Sequence, residues 1–183
     1  INLIIKREVF YPISIGEITM SWYAIFVKTG CEDDICFALD HIMSNSSQEI
    51  RYNLLVPKRK IYECKQGIRR EVVKKLFPGY VLVQTDDIMR FYLNAKKWPR
   101  VLRFLKAGGT FLQVNYKEIR QILSMVDTQG LINISEGFYE NEKIKIISGP
   151  LIGMEGIIKK VDKRNGRVKV EISINCQKHL IYL

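Results

Sequence analysis

Histidine is scarce in this chain, with two residues among 183, and proline, at five, and cysteine, at four, are little commoner. His41 and His179 are neither of them close in sequence to a convincing acid or nucleophile, so a histidine-based catalytic centre has poor support. His41 is expected on a helix surface. Cys31, Cys36, Cys64 and Cys176 show neither the C-x-x-C spacing of a zinc site nor a secreted disulfide framework. They read as reduced thiols of a cytosolic protein, with no metal and no cofactor expected. Long apolar runs are also missing: no stretch is long enough to span a membrane, and residues 1–20 lack the apolar core and small-residue cleavage site of a signal peptide. A cytoplasmic protein without membrane contact is the expectation. Neither G-x-G-x-x-G nor a Walker lysine pattern occurs, which excludes the common phosphate loops. Acidic residues sit mostly at expected helix starts, so the clustered carboxylates of a metal-dependent nucleic-acid enzyme are not expected and no catalytic residue is assigned.

What is abundant is apolar surface and positive charge. Hydrophobic residues make up 47%, enough for a core without disulfides or metal. The 29 Lys and Arg exceed the 19 Asp and Glu to give +10, and the excess is unevenly placed. Residues 51–75 carry nine basic and two acidic residues, and residues 90–106 carry six basic and no acidic ones. Such clustering points to a polyanionic partner more than to an ordinary solvated face. The candidate nucleic-acid contacts are Lys58, Arg59, Lys60, Arg69, Arg70, Lys96, Lys97 and Arg100, with Tyr62, Phe91 and Trp98 near enough in sequence to stack on unpaired bases.

Periodicity sorts the chain into an α+β protein. Residues 21–28 read as a strand apolar on both faces, Trp22, Ala24 and Phe26 on one and Tyr23, Ile25 and Val27 on the other, which belongs inside a sheet. Glu32, Asp33 and Asp34 suit a helix start, and Ile35, Leu39, Ile42 and Met43 recur at helical spacing behind them. Residues 52–60, 70–77 and 79–85 give three further strands. Asp86 and Asp87 open a second helix through Ile88, Phe91, Tyr92 and Ala95. A third starts at Asn115, with Glu118 expected to complete a capping box and Ile119, Ile122, Leu123 and Val126 forming the apolar stripe. Past Gly130 short strands and tight turns take over, with Asn165-Gly166 a hairpin turn. The expected division is an extension at 1–20, with translation starting at Met20, a helix-flanked sheet domain at 21–129, a linker at 130–139 and a small β-barrel at 140–183.

Ser21-Trp22-Tyr23, Phe77-Pro78-Gly79-Tyr80-Val81 and Pro99-Arg100-Val101 followed by Phe104, in that order and spacing, resemble the N-terminal (NGN) domain of the NusG family of transcription elongation factors. Ile144 to Ser148, Gly149-Pro150, Gly153, Gly156 and the strand to Val161 resemble the SH3-like KOW barrel that follows it. The resemblance implies a monomer whose NGN domain docks on the clamp of bacterial RNA polymerase and whose KOW domain recruits a further, unknown partner. It also implies that Phe26, Tyr80 and Leu82 line the docking face, which their alternation supports in part; without the resemblance they read as ordinary core. The segment WYAIFVKTGCE looks closest to the LoaP-type antiterminators, operon-specific members of the family, for which direct binding of leader RNA, or secondly of non-template DNA, is expected. A housekeeping NusG and a KOW-type RNA-binding or ribosomal protein are the alternatives. Asn175-Cys176-Gln177 stands where the family's barrel usually carries Phe-Gly-Arg, which argues against the usual barrel partners, the termination factor Rho and a ribosomal protein.

Overall fold

The structure is a computed structural model that describes residues 20–45, 50–140 and 143–183. The expected extension therefore lies, apart from Met20, outside the described residues. The first part is a four-stranded antiparallel sheet in the order β2 (Tyr52–Leu55), β5 (Tyr80–Thr85), β1 (Ser21–Val27), β6 (Val101–Phe104). The central strand β1 buries both faces, as its two-sided apolar pattern requires. Tyr23, Ile25 and Val27 pack with Val81 and Val83 against α1 (Glu32–Ser44) and α2 (Ile88–Ala95). Trp22, Ala24 and Leu82 face the other way and join Ile119, Ile122 and Met125 of α3 (Tyr116–Met125). Helices thus flank the sheet on both sides, the expected sandwich.

A second layer of strands carries a dense group of basic residues. β3 (Lys58–Lys65) and β4 (Ile68–Lys75) form a hairpin, and β9 (Leu131–Ile132) adds to β3 in parallel, leaving β4 at the edge. The turn is Gln66-Gly67, both with positive φ, 54° and 76°, as a two-residue hairpin demands. The run read as one strand over residues 52–60 is in fact two. Tyr52–Leu55 pairs with β5 and Lys58 onward pairs with β4, because Pro57, which has no N–H to give a ladder, sits at the break. A small hairpin of β7 (Lys106–Ala107) and β8 (Thr110–Phe111) follows β6.

The remainder is a five-stranded unit. β10 (Glu136–Glu140) pairs with β11 (Lys143–Ser148), and β12 (Ile158–Asp162), β13 (Arg167–Ile174) and β14 (Gln177–Tyr182) form a second small sheet. β13 alternates strictly, with Val168, Val170, Ile172 and Ile174 inward. Beyond β14, Leu183 and Val168 exchange both backbone hydrogen bonds at 2.9 Å. Within 130–139, residues 131–132 belong to β9, which pairs with β3, and 136–139 to β10, so only 130 and 133–135 lie outside strands. The two cores are continuous: buried residues run from Trp22 and Leu82 through α3 into Val170, Ile172 and Ile174.

Candidate partner and nucleic-acid surfaces

Phe77-Pro78-Gly79 is a turn that ties three elements together. Gly79 has φ +85°, and its N–H donates to the Oε1 of Glu32 at 2.7 Å while its carbonyl accepts from Val27 N–H at 2.8 Å. A Cβ there would stand 3.0 Å from the Thr29 hydroxyl, so glycine is needed for both conformation and space. Glu32 is fully buried; burial pushes its carboxyl up, but the N–H groups of Gly79, of its own peptide and of Gly30, with the charge of Lys75, outweigh that and hold it below the usual range. The start of β5 is thereby fixed beside the end of β1 and the first turn of α1.

That placement aligns a row of side chains across three strands. Phe26 lies opposite Tyr80 on one side and Arg103 on the other. The two rings meet edge to face at 5.3 Å, and the Arg103 guanidinium lies 5.0 Å from the Phe26 centroid. Phe26 and Tyr80 are half-buried, whereas Leu82 is fully buried. Of the three residues expected on a docking face, two therefore reach solvent and Leu82 is core beneath them. Phe77 was not singled out from the sequence for this face; it is buried, with the His179 ring of β14 edge-on to it at 5.2 Å.

The basic residues fall into two groups on either side of the acidic first turn of α1. Asp33 pairs with Lys58 at 2.8 Å and with Lys75, and Asp34 pairs with Arg100 at 3.6 Å. Burial would raise the pKa of Asp33, but hydrogen bonds from Lys58 and Lys75 and their charges hold it down. Lys60 pairs with Glu71 at 3.5 Å. Arg69 lies over the Tyr62 ring at 3.8 Å, and Arg70, Lys96 and Lys97 are exposed. Arg59 is half-buried, and its Nε and Nη1 are enclosed without a hydrogen-bond partner. Phe91 is fully buried and so unavailable for base stacking; it is a helix core residue whose spacing was read correctly and whose surface role was not. Tyr62 and Trp98 keep partial exposure.

The capping box expected at α3 does not form. Asn115 does cap the helix, accepting from Lys117 N–H at 2.9 Å. Glu118 instead points at the second domain, where its carboxylate accepts from Asn175 N–H at 2.8 Å and Cys176 N–H at 3.1 Å. Asn175 and Cys176 are the two-residue turn between β13 and β14, with φ of 50° and 62°. Asparagine tolerates that left-handed conformation, but cysteine does not favour it. Cys176→Gly is accordingly expected to stabilise the chain by about 1 kcal/mol, raising Tm by about 2–4 °C in calorimetry. Arg167 adds a further tie, donating from Nε to the Tyr62 carbonyl at 3.1 Å and from Nη2 as well.

Among the described residues no group of three or more His, Cys, Asp or Glu is placed to hold a metal, and no helix is long and apolar enough to cross a membrane. The fold is thus a helix-flanked sheet carrying an aromatic row and a basic hairpin, packed against a small all-β unit. The family model described as transcription termination factor NusG matches residues 20–123. The protein named transcription termination/antitermination protein NusG from Thermus thermophilus is 27% identical over 169 residues, covering 85% of this chain and 90% of that protein. Its namesake from Vibrio parahaemolyticus is 30% identical over 164 residues, covering 84% and 86%. A solved structure described as domain interaction in Thermotoga maritima NusG aligns with a TM-score of 0.57 at 23% identity, covering 91% of this chain and 94% of that one, which supports the α+β fold. The chain belongs to the NusG family.

Proposed function

We propose that this protein is a transcription elongation and antitermination factor that docks its N-terminal domain on the clamp of bacterial RNA polymerase. The observation that carries the reading is the Arg103–Phe26–Tyr80 row, a partly exposed aromatic pair with a flanking cation across three strands, near the end of β1 and the start of β5. Aromatic and arginine anchors of this kind dominate protein interfaces. Such a factor needs no bond-making group: if it binds the closed, elongating polymerase better than the paused one, the difference in affinity shifts the equilibrium, tenfold for each 1.4 kcal/mol or so. The test is co-elution of the full chain with purified polymerase core in gel filtration at micromolar concentration; separate elution would contradict the proposal.

Within the family, the operon-specific LoaP type is the reading favoured by the residues around Trp22 and by a barrel turn that carries Asn175-Cys176 and is already engaged by Glu118. Direct contact with nucleic acid follows from the charge placement, with structured leader RNA preferred. Of the eight candidate cations, Arg69, Arg70, Lys96 and Lys97 are exposed and have no acid within ion-pair distance among the described residues. Replacing these four by Ala is expected to weaken RNA binding and to flatten the dependence of log affinity on log salt by about 3. An unchanged slope in a mobility-shift titration would return the basic windows to a solvated face.

A further inference from the structure

We propose that the cavity enclosed between β3, residues 133–135 and the second domain is a binding site for a small amphiphilic anion: an apolar, ring-sized body carrying one phosphate, sulfonate or carboxylate group. The cavity measures about 300 Å3, at the lower end of the range for small-ligand sites. Ile144, Ile146, Leu151, Val161 and Val168 give it an apolar floor from the second domain, and Ile61 closes it from β3. Three cations line it, Lys60, Lys163 and Arg167, against one acid, Asp162. That acid's two oxygens accept from Asn165 N–H at 3.1 Å and Asn165 Nδ2 at 2.8 Å, and its charge also acts on Arg167.

The cations differ in how far they are satisfied. Lys60 has Glu71. Lys163 rests on the Tyr139 ring at 3.9 Å, and Arg167 is bonded to a neutral carbonyl; no acid lies within 4 Å of either among the described residues. Arg59, beside Lys60 on β3 but outside the cavity lining, has enclosed guanidinium nitrogens without a partner, and burial first and the charge of Arg167 second push its pKa down. Three lining cations against one acid leave the hollow with an excess of positive charge, which a bound anion would offset. An apolar body would fill the hollow while its anionic end met Arg167 and Lys163.

Because the walls come from both domains, the site is complete only while the domains are clasped. A ligand there stabilises the clasped arrangement by mass action, and opening of the clasp must weaken the ligand by the same factor. The site would thus report a small-molecule signal to whatever the freed domains bind.

The experiment is isothermal titration of the full chain with 1-naphthyl phosphate, and with 1-naphthol as the neutral probe of the same body. The phosphate is expected to bind at least about tenfold more tightly than the naphthol. Lys163→Ala and Arg167→Gln are each expected to lower phosphate affinity by about tenfold and to leave naphthol unchanged. Arg167 also touches Tyr62, so Lys163→Ala, which breaks no described contact between domains, is the variant that decides if Arg167→Gln loosens the fold. Equal affinity for the two probes, no binding of either, or phosphate binding that survives Lys163→Ala would each overturn the proposal.

Discussion

Leu82→Asp is expected to leave the N-terminal domain without a cooperative thermal transition. Leu82 is fully buried, stands opposite Ala24 across β1 and β5, and belongs to the core that continues through α3 into the second domain. Truncating such a leucine to alanine costs about 2–5 kcal/mol. An aspartate adds an unpaired carboxylate to the same apolar site, which no neighbour can satisfy. Against a total stability of about 5–15 kcal/mol the domain has little left. Circular dichroism melting checks this: a sharp transition within a few degrees of the unchanged chain would mean that Leu82 is not where the packing places it. Tyr80, two positions earlier on the same face, is half-buried and should tolerate the same substitution, so the pair separates core from surface on one strand.

Glu118→Lys is expected to release the second domain from the first. The Glu118 carboxylate is the acceptor for two consecutive N–H groups of the Asn175-Cys176 turn, and hydrogen bonds to a charged acceptor contribute about 1.5–3 kcal/mol each. Lysine removes both and sets an ammonium against N–H dipoles of the same sign. The Phe77–His179 ring contact and the Arg167 bond to Tyr62 remain, so the expected change is a shift in population and not a clean separation. Backbone 15N relaxation reads it directly, because amides of β12, β13 and β14 would tumble faster than those of β1 and β5. Identical rotational correlation times in the two domains of the variant would show that Glu118 does not hold them together.

Periodic elements were legible in the sequence, and elements defined by distant partners were not. α1 and α2 follow from acidic starts and apolar spacing, and Asp87 caps α2 by accepting from Arg90 N–H, as an aspartate at that place should. β1 was readable because both its faces are apolar. The β3–β4 hairpin was only half visible: its Lys and Arg mask the alternation, and Gln66-Gly67 is a weaker turn signal than Asn-Gly. Residues 131–132 and 136–139 looked like linker because strands so short take their conformation from the neighbours they pair with. Glu118 had the spacing of a capping residue, yet two N–H groups 57 and 58 positions away compete successfully for its carboxylate. Of the candidate site, Phe26, Tyr80 and Leu82 all came from the resemblance; Phe26 and Tyr80 stand together at the surface, and Leu82 is core. Arg59 shows the limit of charge counting, since a basic residue on an exposed hairpin can still turn its guanidinium inward.

Retention of bacterial RNA polymerase by the immobilised Tyr80→Asp chain decides whether the aromatic row is a docking face. A carboxylate at the centre of an apolar contact loses the ring and buries an unpaired charge, so the variant should bind polymerase at least about a hundredfold more weakly. Its circular dichroism spectrum and melting temperature should stay close to those of the unchanged chain, since Tyr80 is half-buried beside Phe26. Undiminished retention of polymerase by a folded Tyr80→Asp chain would contradict docking through this face.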